Sequence, residues 1–109
     1  MGFVTDTIRL FYLTQLKSDL SHKIRLINEA KLDMERSVTS LMEVGTDLDP
    51  DSPIIKNMKA RRDKMELVER ELNQKLTLYQ SKLAAVDEEI KEVRGLVKND
   101  AQTEFKYGL

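Results

Sequence analysis

Apolar residues return at every seventh position along most of this chain, and that spacing constrains its fold more than any other feature. Leu13, Leu20, Ile27, Met34 and Leu41 form one row, and Leu10, Ile24 and Val38 precede Leu13, Ile27 and Leu41 by three positions. Two rows offset in this way are the a and d positions of helices that pack side by side. A second seam follows in Met58, Met65, Leu72, Tyr79, Val86 and Val93, with Ile55, Leu76, Leu83, Ile90 and Val97 in its other row. Lys17 and Lys31 occupy a positions of the first seam, where their stems can lie along it while the ammonium groups reach water. Arg62 and Glu69 interrupt the second seam in its first half. They read as a locally solvated stretch or, more sharply, as charges that meet a partner and fix register.

The two seams predict helices from about residue 6 to residue 44 and from about residue 53 to residue 98. Thr5 or Asp6 can cap the first, and Gly45 stands where a helix end favours positive φ. A bend of about eight residues, 45–52, makes antiparallel neighbours the natural arrangement. Past Gly95 the period is lost, and residues 99–109 read as a frayed or separately docked tail. The predicted fold is all-α: one domain, an antiparallel two-helix hairpin of coiled-coil type. Two helices bury one stripe each, so such a hairpin is expected to assemble into a bundle or filament.

The bend itself, GTDLDPDSPII, invites a metal reading because Asp47, Asp49 and Asp51 alternate like the start of a calcium loop. Counted from Asp47, however, the sixth position is Ser52 and the twelfth is Met58, where such a loop needs Gly and Glu. The residues fit a corner better. Asp49 precedes Pro50 and is pushed out of the helical region. Ser52 suits a helix cap, and Pro53 suits the first helical position. The three carboxylates also lie near the positive end of the second helix.

Composition narrows the function classes. Charged residues make up 34% of the 109 and aromatics 6%, with four Gly and two Pro, which favours long helices over a sandwich or barrel. The formal net charge of −1 gives no bulk attraction to nucleic acid or acidic lipid. With no Cys there is no disulfide, thiolate nucleophile or zinc knuckle. His22 is the one histidine, and no Gly-rich phosphate loop is present, so the chain does not read as an enzyme and implies no cofactor. No apolar run is long enough to span a bilayer. Asp6 and Arg9 interrupt the amino-terminal apolar stretch, so no cleaved signal peptide is expected. That leaves the cytoplasm or export by a leaderless route.

The candidate sites are therefore contact surfaces. Phe11, Tyr12 and Leu16 cluster near one side of the first helix and suit another chain better than solvent. Asp47, Asp49 and Asp51 sit beside a basic run, Lys56, Lys59, Arg61, Arg62 and Lys64, offset by Asp63. Local charge pairing is the plainest account of the two. In an assembly, the acidic corner of one subunit would meet the basic run of the next. The basic run lacks interleaved aromatics and helix-turn-helix spacing, which ranks nucleic acid below protein as its partner. Phe105 and Tyr107 in the tail read either as a disordered end or as an aromatic docking tag.

A small Cys-free helical hairpin with Pro50-Asp51-Ser52-Pro53 at its bend resembles the needle-filament subunits of type III secretion systems. The stretch LTLYQSKL around Tyr79 is similar to the family's tyrosine-bearing segment on the second helix. The chain departs from the family in its greater length, its longer Pro53-to-Tyr79 interval and its EFKYGL ending. The resemblance implies a leaderless hairpin that polymerises, with the carboxy-terminal helix and tail making much of the subunit contact. The expectation is thus a self-assembling structural subunit of a filament or homo-oligomer, exported or surface-borne as the resemblance implies. The alternative is a coiled-coil adaptor or secretion chaperone that binds a helical protein partner.

Overall fold

Two long helices, α1 over Phe3–Gly45 and α2 over Pro53–Lys106, account for nearly all of the residues that the computed structural model describes, 2–106. The fold is an all-α helical hairpin, with no strand among the described residues.

Helix α1 starts earlier than the apolar period suggests. The amide of Asp6 donates to the carbonyl of Gly2 at 3.1 Å, and Thr7 Oγ1 donates to the carbonyl of Phe3 at 2.7 Å. Asp6 therefore lies inside the first turn and is not a cap, nor is Thr5. At the other end Gly45 keeps φ outside the left-handed region, contrary to the expectation of positive φ there. The helix instead closes by short bonds: Thr46 Oγ1 donates to the carbonyl of Glu43 at 2.7 Å, and the Leu48 amide to that of Gly45 at 3.3 Å. A Cβ at Gly45 would stand 3.6 Å from Ile55 Cδ1, an ordinary contact.

The bend follows its turn chemistry. Asp49 Oδ1 accepts from the Asp51 amide at 3.1 Å, and the carbonyl of Asp49 accepts from the Ser52 amide at 3.0 Å. Ser52 Oγ then accepts from the Ile55 amide at 3.2 Å, which is the N-cap bond, and Pro53 fills the first helical position.

Helix α2 runs through Gly95 and on to Lys106, so the expected tail over 99–106 is helical. The seam explains why. Asp100 stands one heptad after Val93 and Glu104 one heptad after Val97, and both are partly buried. The period continues with carboxylates in place of apolar residues, so apolar spacing alone misses it. Phe105 belongs to this helical extension, whereas Tyr107 lies outside the described residues.

The described residues divide into two compact units, each taking part of both helices. Unit 1 comprises 2–23 with 79–106, and unit 2 comprises Ile24–Leu78. Unit 1 holds the hydrophobic core: Leu13, Leu20, Val86, Ile90 and Val93 are buried together, and Leu10, Leu16, Tyr79, Leu83 and Val97 pack against them. Exposed ion pairs flank this core, Lys17 Nζ to Asp87 Oδ1 at 2.8 Å and Arg9 to Glu89 at 3.7 Å. The ammonium of Lys23 sits 5.5 Å from the centroid of the Tyr79 ring, a cation–π contact that shields one ring face. In unit 2 only Ile27 and Ile55 are buried among the apolar seam residues, and Met34, Val38, Met58, Met65 and Leu72 are half-buried.

Candidate interaction surface

The functional question is which side chains the hairpin leaves unsatisfied. On unit 1 the answer is an apolar stripe. Val4, Ile8, Phe11 and Tyr12 are each 64–73% exposed. Their spacing of four, three and one places them on one face over the first turns of α1, because residues three and four apart are neighbours on a helix. Phe11 and Tyr12 are where the sequence places a contact. Leu16 is not free to join them, since it packs against the buried core. Val4 and Ile8 are the members that sequence reasoning missed. Their one- and two-turn spacing before Phe11 and Tyr12 was the available signal, hidden by a helix start placed too late.

Four large apolar side chains on one face form a contiguous patch, unlike the isolated exposed apolar residues normal on any protein surface. Phe105 is exposed still further, at 87%, on the last turn of α2.

On unit 2 the bend and the first turns of α2 are charged, among exposed apolar residues such as Met42, Val44, Ile54 and Leu67. Asp47, Asp49 and Asp51 are exposed at the bend, and Lys56, Lys59, Arg61 and Lys64 are exposed on the first turns of α2. The local pairing expected from sequence does not form: no ion pair among the described residues joins the acidic corner to the basic run. Arg62 differs from its neighbours. It is partly buried on the seam, and its guanidinium faces Asp63 at 3.8 Å and Glu66 at 3.9 Å on its own helix. Its Nε makes no hydrogen bond among the described residues, because 3.9 Å is an electrostatic separation and too long for one. A shallow apolar groove beside it is lined by Leu41, Met42, Gly45, Ile55 and Met58, with Lys59 and Arg62 at its edge.

The described residues contain no group of three or more potential metal ligands, and no helix among them is long and apolar enough to cross a membrane. Compared with protein-family models, curated proteins and solved structures, the chain finds no significant match.

Proposed function

We propose that this chain is a structural subunit, a helical hairpin that assembles with copies of itself into a filament or other homo-oligomer. The observation that supports this reading is the stripe of Val4, Ile8, Phe11 and Tyr12, four large apolar side chains held on one helix face with most of their surface in water. Covering such a face removes apolar area worth about 25 cal/mol per Å² from solvent, and this is the drive for association. The charged bend adds direction. The acidic corner and, Arg62 apart, the basic run are exposed, and no ion pair among the described residues joins the two, so a neighbouring copy can match opposite charges. Assembly of hairpins in the manner of secretion needles is the form of this reading suggested by the Pro50–Pro53 bend.

The test is sedimentation velocity of the purified chain over a wide concentration range, with negative-stain microscopy of the same samples. The expected result is concentration-dependent growth that Phe11→Lys and Ile8→Glu abolish without loss of helicity. A monodisperse monomer at every concentration would sink the proposal. A stoichiometric foreign helical protein co-purifying with such a monomer would favour the adaptor reading instead.

A further inference from the structure

The most unusual group in the molecule is a carboxylate where the seam should be apolar. Asp6 is 2% exposed, as buried as the core leucines. It occupies the seam row one heptad before Leu13, and Asp100 occupies its row one heptad after Val93. The register that pairs Lys17 with Asp87 and packs Leu13 with Ile90 and Val93 sets the two positions near each other across the seam of unit 1, where their carboxyls interact. One oxygen of each, Oδ2, is shielded from water and has no hydrogen-bond partner among the described residues.

Two carboxyl groups can share a hydrogen bond only if one of them carries a proton, since an ionised carboxylate is an acceptor alone. Two acids set near each other, each with an oxygen shielded from water and without a partner, are best relieved by a proton or a cation between them. A cation is the poorer occupant. No group of three ligating side chains exists among the described residues, and hard divalent ions want several oxygen ligands. The nearest cation along the first helix, Arg9, is turned to Glu89.

We propose that Asp6 and Asp100 form an acid-closed latch, in which a proton shared by the pair ties the first turn of α1 to the last turns of α2 and its loss loosens them. Ionisation of both acids would place like charges in contact at a poorly solvated position, which is costly. The charged groups around Asp100 agree with this. Its carboxyl is raised above its ordinary value of 3.8, first by the hydrogen bond to Asp6, then by desolvation and by the charge of Asp6; Glu104 adds to the rise and the amino-terminal charge opposes it. A group with a raised folded value holds its proton more tightly when folded. The stability it contributes is fully present below the unfolded value and is lost as pH rises through the folded one. This latch thus works in the opposite sense to the usual salt-bridged carboxylate.

The experiment compares the full-length chain with Asp100→Asn, whose amide can donate to Asp6 at every pH. It is run at the lowest protein concentration that gives a readable signal, so that assembly is scored separately. Thermal midpoints are measured from about pH 4 to about pH 8. The two proteins are expected to melt together at the acid end, with the wild type falling progressively below Asp100→Asn as pH rises. Exchange protection of the amides over 98–106, corrected for intrinsic rates, should fall in the same window in the wild type alone. A pH-independent difference between the two proteins would overturn the latch. As a check independent of any variant, carbon NMR of the aspartate carboxyls should show Asp100 taking up its proton above the ordinary carboxylate range. Protonation of Asp100 in the ordinary range would also overturn it, as would protection of the ends at high pH by added Ca²⁺.

Discussion

The two units of this hairpin use the same seven-residue repeat and obtain different interiors from it. Unit 1 fills the middle of its seam, Lys17 apart, mostly with branched aliphatic residues, and Leu13, Leu20, Val86, Ile90 and Val93 close into one buried cluster with Val93 at 0% exposure. Unit 2 places Met34, Met58 and Met65 at equivalent positions and admits Lys31, Arg62 and Glu69 to the seam. None of those six is buried, and only Ile27 and Ile55 reach the interior. Methionine is flexible and specifies packing weakly, and each charged side chain needs water or a partner close by. The heptad therefore decides that helices form and face each other; the residues within it decide how dry the interface becomes. Both surfaces carry exposed apolar side chains, in a stripe along the first turns of α1 in unit 1 and at Met42, Val44, Ile54 and Leu67 in unit 2, where the charged bend is added.

This contrast can be attacked most directly through the interior. Leu20→Ala should cost about 2–4 kcal/mol, as for a well-buried leucine, whereas Met65→Ala should cost about 1 kcal/mol because less of its area leaves water. Urea denaturation of the two variants measures the gap, and equal losses would break the distinction between a packed unit and a loose one.

A gain-of-stability test comes next. Replacing Arg62 and Glu69 together by leucine should raise stability by about 1–2 kcal/mol and increase amide protection within Ile24–Leu78. If protection there stays unchanged, the looseness of unit 2 has a cause other than its seam charges. The same variant is expected to relax pairing specificity, which would appear as additional species in sedimentation.

Local backbone effects should be smaller. Ser52→Ala removes the cap that receives the Ile55 amide and should cost about 1 kcal/mol in unit 2. Gly95→Ala meets nothing within 4 Å on the helix of unit 1 and should add up to about 1 kcal/mol. Thermal melts of the pair check both signs. The smallest effect is expected from Lys17→Ala, which removes an exposed ion pair to Asp87 worth at most about 0.5 kcal/mol and should lose even that in high salt.

Much of the hairpin is legible without coordinates. The seam rows name the buried residues of unit 1, and Ser52 and Pro53 mark the start of α2 because their chemistry is local. The acidic corner and the basic run are readable as charge, and Phe11 and Tyr12 as surplus apolar area. What was not legible has a common origin. Asp6, Asp100 and Glu104 keep the period with polar side chains, and a pattern read from hydrophobicity alone stops where they begin. Both helices consequently extend past their expected ends. The early start of α1 also brings Val4 and Ile8 onto the face of Phe11 and Tyr12. Gly45 shows the opposite error, since a glycine at a helix end suggests a left-handed residue while here the turn closes without one.

The sequence by itself determined two amphipathic helices and the corner between them, because helical periodicity, capping and proline chemistry act over a few residues. Only the tertiary structure decided how the apolar residues outside the seam rows divide between core and surface, so that Leu16 joins the core while Phe11 and Tyr12 stay in water. It alone also brought Asp6 against Asp100, ninety-four positions apart in the chain. The physical reason is the same in both cases: burial and charge contact depend on what lies across the seam, and a seven-residue spacing along one helix carries no record of its neighbour.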